Sequence, residues 1–365
     1  MKFEDKLKSL DSAAVWQEYC GFLDLNIEEY MQIQNMLMLE QLSMWSKSRL
    51  GRQILNGKEP KTIEEFREWV PLTTYSDYAD ILLSKQDDML PDKPVIWIQT
   101  TWEGGRNPIK TAPYTKGMLD TYRNNVLACL ILSTSREKGK FNVKATDTFL
   151  YALAPLPYAT GLFPLVLNEE IGIEFLPPVR EAVKINFGER NKRGFKLGMR
   201  KGIDFFFGLG SVAYYVSVSL SSLGSNKQKS QDTEKYKGLF KYPPSMVYRM
   251  LRAKYRCKKE NREMKPKDLF ELKGFMCAGT DNNCYKDDLE DLWGIRPMEL
   301  FAGTEPSCIG TEIWTRDGLY FFPDACFYEF IPEKEMMKSL CDSEYKPKTY
   351  LMNEVVQDEK YELVI

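Results

Sequence analysis

Short apolar runs alternate with helix-like segments along the chain, and this alternation constrains the fold most. Val95–Ile98, Thr148–Leu156 and Ile173–Leu176 predict buried strands, while residues 12–50 and Lys116–Leu132 have the composition and spacing of helices. Alternation of this kind indicates an α/β fold with a largely parallel sheet. The 365 residues are enough for one large domain or about two.

Charge is distributed unevenly. Residues 190–268 carry 20 Lys or Arg and 6 Asp or Glu, a net of +14, although the whole chain has a net charge of −2. We expect this basic middle to be a solvated insertion and predict no nucleic-acid partner, because no nucleic-acid motif with interleaved aromatic residues accompanies it. Attraction to phosphates or to anionic lipid stays open.

The segment Ile203–Leu223 has one charged residue, Asp204, in 21 positions. Its length approaches that of a membrane span, but it contains glycines and several serines. We expect a buried helix-and-turn segment and no membrane contact. A span, or peripheral contact made together with the basic middle, remains an alternative.

The chain has no histidine, which excludes a Ser-His-Asp hydrolase, a Cys-His protease and a His-ligated zinc or haem site. None of the eight cysteines has zinc-site spacing, and the charged start of the chain lacks an apolar signal core. We therefore expect reduced, mostly buried thiols in a cytoplasmic protein.

One segment offers a helix start, and two others are candidates for a binding site. Pro71–Tyr78 offers a helix start, with Thr74 as N-cap and Asp77 three residues later. Residues 99–115 form a glycine-containing loop, which we expect between a strand and a helix, where backbone N–H groups can approach a phosphate; many such loops are only turns. Residues 301–305 (FAGTE) place a ring, a hydroxyl and a carboxylate at a strand end, although a surface turn explains them equally well.

Taken in order, these segments resemble the adenylate-forming ligase superfamily. The closest branch is the Gretchen Hagen family of acyl-acid amido synthetases, with phenylacetate–coenzyme A ligases as relatives. Three further segments also resemble this family: residues 277–281 (CAGTD) before 289–294, residues 320–332 ending in FYEFIP, and 359–365. The resemblance runs from about residue 60 to residue 365.

The resemblance implies a fold, a reaction and two cofactors. The fold is the large N-terminal domain of such a ligase, with intertwined α/β subdomains and mainly parallel sheets, spanning residues 61–365 behind a helical segment at 1–60. The reaction joins a small-molecule carboxylic acid to ATP, with Mg²⁺, as an acyl-adenylate and then transfers the acyl group to an amine or a thiol. Neither the acid, the acceptor nor the oligomeric state follows from the sequence.

The resemblance also implies roles for individual residues. Phe301 would stack on adenine, Thr304 would touch the α-phosphate, and Glu305 would hold magnesium, so that Thr304 and Glu305 are the catalytic candidates. By the same analogy, Tyr158 and Gly161 would border the acyl pocket. The nucleotide-binding candidates are Thr100, Thr101, Gly104, Gly105, Arg106, Lys110, Gly279, Thr280, Asp281, Phe301, Ala302 and Gly303.

The sequence departs from the family pattern in two ways. Trp102 and Glu103 occupy loop positions where small residues are usual, and Ala302 replaces a usual glycine. The chain also ends before the motif whose Asp holds the ribose and before the domain with the catalytic Lys. We therefore expect a ligase part that is incomplete for turnover, with a non-catalytic binding or scaffold protein on the same fold as the alternative.

Overall fold

A computed structural model describes residues 1–100, 107–225, 242–342 and 344–365. The α-helices in these residues are α1 (Phe3–Ser9), α2 (Ser12–Cys20), α3 (Ile27–Trp45), α4 (Arg49–Ile54), α5 (Ile63–Trp69), α6 (Ala79–Leu83), α7 (Lys116–Thr134), α8 (Leu162–Glu170), α9 (Val179–Ala182), α10 (Phe187–Lys201), α11 (Gly210–Ser225), α12 (Pro244–Lys259), α13 (Lys286–Trp293) and α14 (Glu333–Cys341).

The β-strands of the described residues are β1 (Ile96–Gln99), β2 (Thr111–Tyr114), β3 (Thr148–Ala152), β4 (Glu174–Leu176), β5 (Phe205–Leu209), β6 (Gly274–Ala278), β7 (Met298–Gly303), β8 (Ser307–Thr311), β9 (Tyr320–Phe321), β10 (Glu329–Pro332) and β11 (Tyr361–Val364).

Seven of these strands form one sheet in the order β4-β3-β5-β6-β7-β8-β9. The pairs β3/β4, β3/β5, β5/β6 and β6/β7 are all parallel. Helices separate these strands along the chain, as parallel connections require. The prediction of an α/β fold with a mainly parallel sheet is confirmed.

The centre of this sheet is buried on both faces. Every residue of β3 and β6 is buried, as are four of the five residues of β5. Their sequences, TFLYA, GFMCA and FFFGL, are almost continuously apolar, as is typical of strands covered by helices on both sides. The Trp293 ring packs on Phe206, and its Nε1 donates to Ser217 Oγ at 2.7 Å, which fixes α13 against the core.

By its contacts, the chain divides into two compact units. The first consists of Met1–Glu18, Val126–Ala302 and Gly310–Tyr320. The second consists of Tyr19–Asn125, Gly303–Ile309 and Phe321–Ile365. The chain passes between the units five times, within α2, α7, β7, β8 and β9.

The second unit contains two antiparallel strand pairs, β1/β2 and β10/β11. The Gln34 side chain, which is buried on α3, fixes the turn that precedes β10. Its Oε1 accepts from the Tyr328 N–H at 3.1 Å, and its Nε2 donates to the carbonyls of Pro323 and Cys326. Because the amide uses both its donor and its acceptor, this turn has a unique position on the helix.

Two sequence expectations need correction. Residues 99–115 do not lead from a strand directly into a helix, since Thr111–Tyr114 forms β2 and pairs with β1 before α7 begins. An antiparallel partner close in sequence supplies the hydrogen bonds that β1, which lies outside the large sheet, needs. Ile203–Leu223 is not a helix and turn but the buried strand β5 followed by α11. Its run of phenylalanines suits a central strand.

Three other expectations of secondary structure are confirmed. Residues 12–50 are helical apart from short connections, and Tyr361–Val364 is a strand. Asp77 Oδ2 accepts from the Thr74 N–H at 2.6 Å at the start of a 3₁₀ helix. Five of the eight cysteines are buried. No helix of the described residues combines the length and apolarity needed to cross a bilayer.

Candidate functional site

Part of the candidate site lies at the carboxyl edge of the parallel sheet in the first unit. Because β3, β5, β6 and β7 run parallel, the segments that follow them emerge at the same edge. These segments are the turn 153–161, the start of α11 at Gly210 and the turn 279–285, and residues 301–302 lie near the carboxyl end of β7 at the same edge. The structure thus brings together, at the edge where open α/β sheets bind ligands, Tyr158, Gly161, Gly279, Thr280, Asp281, Phe301 and Ala302.

The turn 279–285 presents its first residues to solvent and anchors the next one. Gly279 and Thr280 are exposed, and Asp281 is half-buried. Asn282 is only 1% exposed and packs directly against Gly210, where an added Cβ would lie 2.7 Å from Asn282 Oδ1. Only a glycine at 210 therefore permits this approach between β5–α11 and the turn.

A buried ion cluster fixes the far end of the same turn. Lys286, the first residue of α13, is buried, and its Nζ lies 2.6 Å from Glu299 Oε2 and 2.8 Å from Glu312 Oε1. Glu312 Oε2 also accepts from the Glu299 N–H at 2.8 Å. Because Glu299 lies in β7, the lysine ties the end of the turn to the strand that leads into residues 301–303.

The turn 153–161 gives its two predicted residues different environments. Tyr158 is half-buried, and its N–H donates to the Pro155 carbonyl at 3.1 Å. Gly161 is buried, and an added Cβ would lie 2.3 Å from the Leu156 nitrogen. Gly161 is thus required for packing of the turn, whereas Tyr158 has a side chain that a ligand can contact.

The remaining part of the FAGTE segment belongs to the second unit. Thr304 and Glu305 are half-buried, and the Thr304 carbonyl accepts from Tyr114 Oη at 2.8 Å. Burial, and to a smaller extent the negative charge of Glu305, raises the pKa of Tyr114 and of Tyr78. Both phenols are therefore neutral at pH 7.

Thr100 and Lys110 also lie in the second unit, at the base of the loop between β1 and β2. Buried Thr100 accepts from the Lys110 N–H through Oγ1 at 3.0 Å, and its own N–H donates to the Lys110 carbonyl at 2.9 Å. Lys110 Nζ lies 5.7 Å from the centroid of the Tyr75 ring. Outside the described residues lie Thr101, Trp102, Glu103, Gly104, Gly105 and Arg106.

Sequence reasoning missed four residues that shape these segments: Tyr75, Tyr78, Tyr114 and Lys286. Tyr75 and Tyr78 lie in the segment Pro71–Tyr78, so a local sequence pattern pointed to them. The partners of Lys286 are 13 and 26 residues away, so its buried position had no local signal.

The described residues contain no group of three or more His, Cys, Asp or Glu side chains arranged to hold a metal ion. Such an arrangement is not needed for Mg²⁺ that is bound by one carboxylate together with nucleotide phosphates. Glu305 suits that role, because its carboxylate has no Lys or Arg partner among the described residues.

Comparison with solved structures finds proteins of similar fold. One of them is the acyl acid amido synthetase AtGH3.15, solved with 2,4-DB. The match covers 94% of this chain and 64% of the synthetase, with 14% sequence identity and a TM-score of 0.61. In fold, the chain is therefore similar to this synthetase. A second is 2-hydroxyisobutyryl-CoA ligase, solved in an open conformation with 2-HIB-AMP and CoA. The match covers 85% of this chain and 58% of the ligase, with 12% sequence identity and a TM-score of 0.56.

The chain therefore spans less than two thirds of the length of either ligase. At this level of identity the similarity establishes the fold, and the chemistry has to be argued from the residues. No family model matches the chain, and no curated protein matches it by sequence.

Proposed function

We propose that this chain forms the nucleotide- and acid-binding part of a ligase that activates a carboxylic acid with Mg·ATP. In the first step, an oxygen of the acid attacks the α-phosphorus of ATP and pyrophosphate leaves, which gives an acyl-adenylate. In the second step, an amine nitrogen or a thiol sulfur attacks the acyl carbon and AMP leaves. The adenylate-forming ligase fold and the position of the segments at the sheet edge support this proposal.

The observation that carries the proposal is the environment of Glu305. The negative charge of the carboxylate contributes to the raised pKa of Tyr78 and Tyr114, and no Lys or Arg of the described residues forms an ion pair with it. Mg²⁺ takes hard oxygen ligands and neutralises phosphate charge when bound with a nucleotide. The Tyr114 hydrogen bond to the Thr304 carbonyl holds the backbone next to Glu305, so the carboxylate is positioned before a ligand arrives.

The other residues have roles in binding. The Phe301 ring stacks on the adenine base. Gly279 and Thr280, which are exposed at the carboxyl edge of the parallel sheet, line the base. Lys110 supplies positive charge for phosphate, and Tyr158 borders the acid. Since the chain contains no histidine, these residues act by binding and orienting charge, and proton transfer at a phosphate is not required of them.

The experiment is acid-dependent exchange of pyrophosphate into ATP, measured in the protein that carries this chain with a panel of carboxylic acids. We expect Glu305→Ala to reduce the exchange rate by about 100-fold or more, because it removes the metal-binding carboxylate. Glu344→Ala, at an exposed glutamate, is the matched control and should keep the wild-type rate.

Two outcomes contradict the proposal. Wild-type exchange in Glu305→Ala would remove Glu305 from the site. ATP binding without exchange for any acid would instead favour the non-catalytic protein on the same fold.

A further inference from the structure

The α12 helix carries an exposed surface that the proposed function does not use. It contains six cations and no acidic residue in 16 positions, and its buried face consists of Met246, Ala253 and Cys257. The opposite side exposes three large apolar side chains, Tyr248 at 65%, Leu251 at 55% and Tyr255 at 75%. An exposed apolar stripe on a helix that already buries its other face indicates contact with something outside the chain.

The geometry of the helix sorts its cations around this stripe. With 3.6 residues per turn, Tyr248, Leu251 and Tyr255 fall within an arc of about 60°. Lys254 and Lys258 lie on one side of the arc, and Arg252 and Lys259 lie on the other. An apolar strip between two rows of positive charge therefore runs along the helix.

These four flanking cations are not neutralised by the described part of the protein. Arg256 pairs with Asp268, and Arg249 donates to the Leu269 carbonyl, but the four flanking cations have no ion pair within the described ranges. The neighbouring residues 226–241 carry five Lys, one Asp and one Glu, so the adjoining sequence is also net positive.

We propose that the outer face of α12 binds the surface of a bilayer that contains anionic lipid. A cationic helix with a stripe of Tyr and Leu has the composition of a helix that lies in the plane of the lipid interface. Tyrosine suits this depth, because its ring is apolar and its hydroxyl stays at the hydrated boundary. The four flanking cations then meet lipid phosphates and carboxylates on both sides of the stripe.

This surface is separate from Ile203–Leu223, the segment whose apolar sequence approaches the length of a membrane span. Residues 205–209 are β5, at the centre of the sheet, and cannot reach a bilayer without unfolding. Nucleic acid fits α12 less well, because a helix that reads a groove exposes polar side chains to base edges, and here Tyr248, Leu251 and Tyr255 occupy that line. The inference does not depend on the proposed ligase activity.

Another helix of the same protein provides the control. The α14 helix exposes Met337 at 52% and Leu340 at 71%, but its two Lys are balanced by two Glu. It therefore has exposed apolar residues without the net positive charge. If exposed apolar side chains alone caused binding to a bilayer, substitutions on α14 would weaken binding as much as substitutions on α12.

The test is co-sedimentation of the full chain with vesicles of phosphatidylcholine alone and of phosphatidylcholine with 30 mol% phosphatidylserine (about one charge in three lipids). We expect binding to the anionic vesicles that weakens as salt rises, and little binding to the neutral ones. Tyr248→Ser/Leu251→Ser/Tyr255→Ser should weaken binding by about tenfold or more. Arg252→Gln/Lys254→Gln/Lys258→Gln/Lys259→Gln should weaken it by about 100-fold or more.

Met337→Ser/Leu340→Ser should leave vesicle binding unchanged. Since all the altered side chains are exposed, circular dichroism and thermal unfolding should match the wild type in every variant. Equal binding to both kinds of vesicle, wild-type binding by the stripe variant, or no binding at all would overturn the proposal. Loss of RNA binding in the same variants without vesicle binding would assign the surface to nucleic acid instead.

Discussion

The turn 279–285 and the loop between β1 and β2 both contain residues that the sequence predicts to bind nucleotide, but they are built differently. The turn follows a buried strand of the parallel sheet and is held at both ends by side chains, with Asn282 against Gly210 and Lys286 against two carboxylates. The loop joins two strands of an antiparallel pair, and its base is held by hydrogen bonds of Thr100 and Lys110.

This difference teaches that the two segments are ordered by different interactions. The turn depends on contacts between residues far apart in the chain, so its shape is part of the folded core. The described part of the loop depends on local hydrogen bonds that each contribute only about 1 kcal/mol. Substitutions in the turn should therefore cost stability, whereas those at the loop should cost less and leave the rest of the fold intact.

The largest effect should come from Lys286→Met. This change leaves Glu299 and Glu312 in a mostly buried site without a counter-charge, and we expect the free energy of unfolding to fall by about 3–5 kcal/mol. Urea unfolding followed by circular dichroism measures it. Lys116→Met removes a lysine from an exposed ion pair with Asp120 and should have little effect.

A triple variant tests the cause of that loss. Lys286→Met/Glu299→Gln/Glu312→Gln removes both uncompensated charges, so it should recover part of the lost stability. If Lys286→Met is as stable as the wild type, the ion cluster does not hold the turn. That result would contradict the statement that the turn 279–285 is part of the folded core.

The next effect should come from Gly210→Ala. The added Cβ would lie 2.7 Å from Asn282 Oδ1 and 3.0 Å from Asn282 Cα, so the turn has to move. We expect a loss of about 1–3 kcal/mol in thermal or urea unfolding. Gly188→Ala, at an exposed position of α10 with no close contact, is the matched control and should be neutral or slightly stabilising. Equal effects of the two substitutions would contradict close packing at Gly210.

The sequence was sufficient for the parts of the fold that depend on local patterns. Apolar runs located β1, β3 and β4, helical spacing located α3 and α7, and the Thr74–Asp77 pattern located a helix start. Alternation of these elements predicted the parallel sheet. The resemblance to adenylate-forming ligases predicted a fold that solved structures of 12–14% identity share.

The features that the sequence could not predict depend on distant partners or on a choice between two structures. The run around Phe206 is compatible with a buried helix, and only its neighbours β3 and β6 make it a strand. Nothing local marks Gly210 as the residue that faces Asn282. The same limit applies to the candidate site, because Tyr114 reaches Thr304 across 190 residues.

A smaller effect should come from Tyr75→Phe, near the loop. Tyr75 Oη accepts from the Thr111 N–H at 2.8 Å and lies 3.1 Å from the Thr111 carbonyl oxygen. Loss of the hydroxyl leaves a partly buried backbone group without a partner, so we expect a loss of about 1 kcal/mol in urea unfolding. Tyr215→Phe, at an exposed ring, should show no change. A loss as large as that of Lys286→Met would show that the loop is as much part of the core as the turn.

The central claim is that residues 303–305 supply a magnesium-dependent nucleotide site. Calorimetric titration of the full chain with ATP, with and without Mg²⁺, tests it most directly in the wild type and in Glu305→Ala. We predict that Mg²⁺ tightens ATP binding by about tenfold or more in the wild type and has little effect in Glu305→Ala. The same gain from Mg²⁺ in both proteins, or no ATP binding by the wild type, would contradict the claim.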